Sequence, residues 1–269
     1  MKQLKLMVLT LTLLMGTMFT SCMDSGESGP QQWAGVVKVN DRMGYVTFTD
    51  AAGTELIPTN TIPVTLNARM AYIYCQVDEG QDLSTNPKSI KITLLADPTG
   101  IDATAITTPK VGESGDVTTN APVGSLSFVS GYSTVAPFQF SENTIVLPVL
   151  YRVKNVTTTE DIKNELAKHT FTLVCYTDDI KSGDTILKLY LRYKVEDEPA
   201  AIAERATRTS SFKAYEIAKS QILREYTLKS GQTKPAKITI VAQQNEYNNK
   251  LEDTSTIEKV YEIEYKTAE

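Results

Sequence analysis

The stretch "LKLYLRYKV" (residues 187–195) decides the fold. Leu189, Leu191, Tyr193 and Val195 alternate with Lys188, Tyr190, Arg192 and Lys194, which is the period of a strand with one buried and one wetted face. The same alternation runs through "KSIKITLL" (88–95), where Ile90, Ile92 and Leu94 interleave with Ser89, Lys91 and Thr93. Short strand-like runs precede it at 33–39, 44–49, 55–58 and 70–77. Others lie at 126–131, 144–154, 169–177, 211–217, 237–243 and 259–266. The run at 144–154 is apolar on both faces, as in a central strand. Pro148 within it donates nothing to a ladder and marks an edge or a bulge. Helical pattern is scarce: 160–169 places Ile162 and Leu166 on one face with Thr159 as a cap, and 199–206 supports a turn or two. Residues 213–228 read as either strand or helix.

The fold class is therefore all-β. Five short strands in 33–97 predict a small OB-like barrel, and the spacing of strands in 125–269 predicts an antiparallel β-sandwich. Residues 98–124 are full of turn formers and keep no period, so they read as a linker.

The N-terminal "MKQLKLMVLTLTLLMGTMFTSC" has the layout of an export signal: Lys2 and Lys5, an apolar run, then small and polar residues before Cys22. Thr20 and Ser21 fit the positions ahead of a lipidated cysteine, and Phe19 departs from the usual aliphatic residue. Residues 1–21 are expected to be removed as a lipoprotein signal peptide, with Cys22 lipidated and 22–32 forming a tether. Two or three acyl chains, at about 0.8 kcal/mol per buried CH₂, hold a protein firmly on a membrane. The 248 residues that remain carry 25 Lys and Arg against 32 Asp and Glu. That acidic balance argues against nucleic acid as a partner, because its phosphates require a basic footprint. Cys75 and Cys175 lie in apolar runs of separate domains and read as buried thiols.

Catalytic and metal-binding constellations are thin. Ser210 and Lys213 in "SSFK" have the Ser-x-x-Lys spacing of penicillin-recognising enzymes, but the run reads as a strand, with the two side chains on opposite faces. His169 is the single histidine, and no Gly-x-Ser-x-Gly elbow accompanies it. Zinc draws on several His or Cys ligands that the chain lacks. The acidic runs 78–80, 177–184 and 195–198 lack EF-hand spacing and read as solvated loops. No enzyme activity, metal or cofactor is expected. Tyr190 with Arg192, on the outward face of their strand, is the candidate ligand contact, suited to a sugar ring or a partner protein. Trp33 reads as packing in the first barrel strand.

With the signal and tether, the passages "WAGVVKVN" (33–40), "SIKITLL" (89–95), "LYLRYK" (189–194), "KITIVAQQNEY" (237–247) and "KVYEIEYK" (259–266) resemble the NigD-like lipoproteins of Bacteroidota. The resemblance implies an N-terminal OB-like domain and a C-terminal β-sandwich, and it implies no reaction. In lipoproteins of that group, acidic residues just after the cysteine accompany transport to the cell surface. Asp24 and Glu27 are the candidates here, fewer than the acidic run such proteins often carry.

The expectation is an outer-membrane, lipid-anchored, non-catalytic binding or accessory module with a protein or glycan partner. Three rivals are a fimbrillin-like pilus subunit, a glycan-binding surface lipoprotein of a polysaccharide-uptake system and, last, an envelope hydrolase. Pilus subunits are released by cleavage at Arg or Lys, and residues 23–32 contain neither.

Overall fold

The computed structural model describes residues 31–42, 45–60, 66–83, 87–113, 115–130, 133–217 and 221–267. The chain forms two units, residues 1–103 with 129–135 and residues 104–128 with 136–269.

The first unit is a barrel built from β1 (Gln32–Arg42), β2 (Tyr45–Thr49), β3 (Glu55–Pro58), β4 (Met70–Val77) and β5 (Ser89–Leu94). Its strand order is β1-β2-β3-β5-β4, and β1 closes the ring by pairing β4 as well. One long strand serves both neighbours: residues 32–38 pair with β4, residues 38–42 pair with β2, and Lys38 is shared. β3 and β5 run parallel. This is the Greek-key order of an OB-like barrel, and the β1–β4 pairing joins what would otherwise be the two edge strands of the five. Alternation fills the interior with Val37, Phe48, Ile73, Cys75, Ile90 and Ile92, and Trp33 packs against that cluster. A sixth strand, β6 (Thr99–Ile101), pairs with β4.

The second unit stacks two four-stranded sheets. One contains β7 (Ala103–Ala105), β10 (Phe138–Ser141), β11 (Thr144–Val153) and β14 (Thr207–Glu216), in the order β10-β11-β14-β7. Between β7 and β10 in sequence, the strands β8 (Phe128–Ser130) and β9 (Ser133–Val135), which from Val129 on belong to the first unit, pair as a two-stranded sheet. The other sheet contains β12 (His169–Val174), β13 (Ile186–Val195), β15 (Lys237–Gln244) and β16 (Ile257–Glu264), in that order. Three helices complete the unit: α1 (Thr159–Ala167), α2 (Pro199–Ala203) and α3 (Ile222–Ser230). Among the described residues no helix is long and apolar enough to cross a membrane. Leu147, Val149 and Tyr215 of the first sheet meet Leu173, Leu189, Leu191 and Ile240 of the second in one core. β13 follows the predicted alternation, with Leu187 to Val195 buried at every second position.

Three findings depart from expectation. Residues 98–124 are not a free linker. Ile106, Ala121 and Val123 lie inside the sandwich core, beside Leu126 of the following run. Isolated bridges tie Thr107 to Val174, Val123 to Gln244 and Ser125 to Leu150. Gly124 fits because its backbone runs against Leu150, whose carbonyl accepts the N–H of both Gly124 and Ser125. A Cβ there would stand 3.2 Å from that carbonyl oxygen. The sandwich is also not purely antiparallel, since β13 and β15 run side by side in the same direction. Lastly, α1 is capped by Thr158, whose Oγ1 accepts the Asp161 N–H, and Ile162 and Leu166 stay exposed while Glu165 is buried. Pro148 pairs opposite Phe212 in β11. Its missing donor falls on the edge shared with the Leu150 N–H, between the last β10 pair and Ser125.

Cys75 and Cys175 are free and buried, one in each unit. Burial pushes both thiols up to about 12, so neither is a thiolate at neutral pH. The native protein is expected to leave both unreacted with a thiol reagent at pH 8, and the denatured protein to expose both without reductant. Rapid native labelling, or a requirement for reductant, would contradict this.

Candidate ligand pocket and a buried ion network

The parallel pairing of β13 and β15 ends at Leu191↔Ala242. Arg192 and Gln243 are the next residues on the two strands, on the outward face. Beyond them the strands part, and residues 116–123 enter the fork. Asn120 takes the place of a neighbouring strand: its side chain accepts the Val195 N–H and donates to the Val195 carbonyl. Its backbone N–H donates to Tyr193. Strands that diverge at their carboxyl ends open a crevice, the geometry used for ligands in open parallel sheets.

The crevice is a pocket of about 400 Å³ lined by Asp116 to Thr119, Tyr176, Arg192, Gln243 and Leu251, within the usual range for small-ligand sites of roughly 300–1,000 Å³. A hydrogen-bonded chain crosses it. Arg192 Nη2 donates to the Tyr176 hydroxyl at 2.9 Å, which donates to Asp116 Oδ1 at 2.8 Å. The Gly112 N–H and the Tyr176 hydroxyl hold the Asp116 carboxyl below its ordinary range. Burial raises the Tyr176 hydroxyl. Two residues of the lining each carry a buried polar atom, Arg192 Nε and Thr119 Oγ1, with no hydrogen-bond partner among the described residues. Both atoms are closed off from solvent, as are Ser211 Oγ and Asn249 Oδ1 outside the lining, and a buried polar group left unpaired costs about 1–3 kcal/mol.

Of the predicted pair, Arg192 lines the pocket and Tyr190 stands beside it. Tyr190 is half-buried, with Lys188 Nζ and Arg192 Cζ each 5.1 Å from its ring centre. Tyr176 tilts against it at 5.2 Å. The ring face that a sugar would stack on is thus occupied by its own neighbours on the strand. Asp116, Thr118, Thr119 and Gln243 escaped sequence reading, since turn-rich polar residues carry no period. The one available signal was Gln243, the residue after the apolar run "KITIVA". Cys22, Asp24 and Glu27 lie outside the described residues.

A second constellation lies in the same unit. The Arg205 side chain is fully buried. Its Nε and Nη2 fork onto Glu165 at 2.7 and 3.2 Å, Nη2 also reaches Asp197 at 3.0 Å, and Nη1 donates to the Ala201 carbonyl. Lys154 and Lys168 add ion pairs to Asp197. His169 stands between Glu165 (Nε2, 3.3 Å) and the Tyr193 hydroxyl (Nδ1, 2.6 Å). Burial works to raise Glu165, but its bonds from Arg205, the Lys154 N–H and His169 outweigh that and hold it at about 2. Burial lowers His169, so the ring is neutral at pH 7. A carboxylate only accepts, so Nε2–H donates to Glu165 and Nδ1 accepts from Tyr193. The expected solvation of residues 195–198 fails at Asp197, which these cations hold well below the ordinary carboxylate range.

The Ser210–Lys213 pair lies on β14, with Ser210 exposed and Lys213 Nζ 5.0 Å from the Phe171 ring centre. No group of three or more His, Cys, Asp or Glu suited to a metal occurs among the described residues.

No family model matches the chain, and no curated protein matches it. Among solved structures, that of a "putative lipoprotein" from Bacteroides fragilis is 95% identical, covers 89% of this chain and 100% of that one, and has a TM-score of 0.80. A protein of unknown function, DUF1344, from Bacteroides vulgatus is 11% identical over 88% of this chain and 92% of that one, with a TM-score of 0.54. The second likeness is one of fold alone.

Proposed function

We propose that this chain, which belongs to the same family as the Bacteroides fragilis lipoprotein, is a non-catalytic binding module of the outer membrane, NigD-like in architecture, held by lipidated Cys22. Its ligand enters the fork between β13 and β15. The observation that carries the binding role is the polar pocket itself, crossed by the hydrogen-bonded chain from Arg192 through Tyr176 to Asp116. The non-catalytic role is supported by what the reactive side chains do. His169 is bound on both ring nitrogens inside a buried network, and Ser210 and Lys213 sit on a strand rather than at a helix start. The NigD-like architecture is supported by the order of an OB-like barrel followed by a sandwich.

A thermal-shift panel of saccharides, peptides, nucleotides and small carboxylates tests the binding role. At least one compound is expected to stabilise the protein and to lose its effect on Thr119→Val or Arg192→Met. A panel in which every shift survives both substitutions argues against the pocket. The anchor has its own test: Cys22→Ala is expected to abolish incorporation of labelled fatty acid and to move the protein from the membrane to the soluble fraction. Retention in the membrane would refute the anchor. Protease shaving of intact cells then decides the surface question, because a surface protein is lost before lysis.

A further inference from the structure

We infer that the open edge of β16 takes an extended basic segment of a partner protein, which joins the second sheet of the sandwich as a fifth strand. β16 ends that sheet, with β15 as its neighbour. Its eight residues exceed the usual strand length of about 5–6, and a long edge is a template for another strand. The ladder tells which backbone groups are free. The Tyr265 N–H donates to the Ala236 carbonyl, so by alternation the odd-numbered residues of β16 face β15 and the even-numbered ones face outward. Lys266 keeps that count. Its outward N–H donates to the Gln139 side chain, whose amide donates back to the Lys266 carbonyl. Gln139 thus takes the place of a strand at one end of the edge. From Glu258 to Glu264 the outward backbone groups have no such partner among the described residues.

The side chains select the occupant. Glu258, Val260, Glu262 and Glu264 share the outer face and are exposed, Val260 by 51%. Lys237 reaches Glu262 and Glu264 at 3.0 and 3.3 Å, so three carboxylates there meet one cation. Lys259 lies on the other face, over the Tyr261 ring. A second copy of this chain does not fit. Antiparallel pairing about a twofold axis sets residues of one face opposite each other, and centring on Val260 brings Glu258 onto Glu262. Centring on Tyr261 brings Glu258 onto Glu264, and centring on Glu262 sets that carboxylate against its own copy. Like charges directly opposite destabilise a strand pair. A strand with Lys or Arg at alternate positions around one aliphatic residue meets attraction from the same charges, so repelling one partner and admitting another share one cause. The edge lies on the far side of β15 from the fork, and its test stands apart from that of the pocket.

The mature acylated protein in neutral detergent is titrated with a labelled, end-capped peptide, Lys-Thr-Lys-Thr-Val-Thr-Lys, and binding is followed by fluorescence anisotropy. Paired antiparallel, the peptide sets a lysine opposite each carboxylate and its valine opposite Val260. One control has the same composition with its lysines consecutive; the other is N-methylated at the lysines and the valine, whose amides face β16. The alternating peptide is expected to bind about tenfold tighter than either. Glu258→Gln, an exposed change, should weaken it about two- to fivefold, the worth of one cross-strand ion pair. Val260→Pro should weaken it about tenfold or more, because the N–H it removes points away from β15. Hydrogen exchange on the unaltered protein keeps the test decisive should the proline disturb the strand. Bound peptide should slow the amides of Glu258, Val260, Glu262 and Glu264, while the odd-numbered amides are protected with or without it. Equal binding of all three peptides would show charge attraction alone and overturn the edge. Binding without protection of the even-numbered amides overturns it too, and no binding overturns the class of partner.

Discussion

Arg205→Met is expected to lower the unfolding free energy of the second unit by about 3–5 kcal/mol, the usual effect of removing one partner of a buried ion pair. The guanidinium is fully buried and bonds Glu165, Asp197 and the Ala201 carbonyl. Without it Glu165 is left with the Lys154 N–H and His169, in a site that solvent hardly reaches. The pair joins α1 to the chain just beyond α2, so its loss loosens both helices from the sandwich. Urea denaturation followed by the near-ultraviolet signal of the tyrosines measures this, because the single tryptophan, Trp33, lies in the barrel. Lys229→Met, at an ion pair with the exposed Asp178, should change stability by only about 0–1 kcal/mol. A loss below about 1 kcal/mol for Arg205→Met would show that the network is not a stabilising element. Because the two groups act as a unit, Glu165→Gln combined with Arg205→Met should lose less than the two single losses added.

Acid should find the same network. Glu165 titrates at about 2 in the folded chain against an ordinary 4.5. Its folded value is depressed, so its stabilisation is complete above 4.5 and is lost as pH falls toward 2. At 1.36 kcal/mol per pH unit that amounts to about 3 kcal/mol. His169, also depressed from 6.5, acts with the same sign and begins earlier, since the unfolded chain takes up its proton as pH falls through 6.5. Asp197 adds to the loss below 3.8. Stability should therefore decline gently from pH 6.5 and steeply below 4.5. Glu165→Gln should start lower at pH 7 and flatten the steep segment. An unchanged slope in that variant would place the acid sensitivity elsewhere.

How much of this was legible depended on whether period or distance carried the information. The barrel strands and β13 show themselves because a half-buried strand must alternate, and Arg192 was reached by the same rule. β6, β7 and β10 are too short, at three or four residues, for alternation to register. Residues 98–124 misled because Ile106, Ala121 and Val123 enter the core singly from between turns, with no period to connect them. Glu165, Asp197 and Arg205 each look like solvated charges when read in order. Only the folded chain brings three such residues around one buried site, and Asp116 reaches Arg192 through Tyr176 for the same reason.

The core segment at 104–128 also sets an order of events. Its Leu126 N–H is bonded to the Tyr261 hydroxyl, 135 positions onward, and its Val123 bridges to Gln244. The ribosome finishes this segment long before it makes those partners. Until the last two strands emerge, Val123 lacks its Gln244 partner and Leu126 its Tyr261 partner, so the sandwich closes only on the chain's completion. A ribosome that stalls before residue 237 would release a product with a sealed barrel and an open, protease-sensitive remainder.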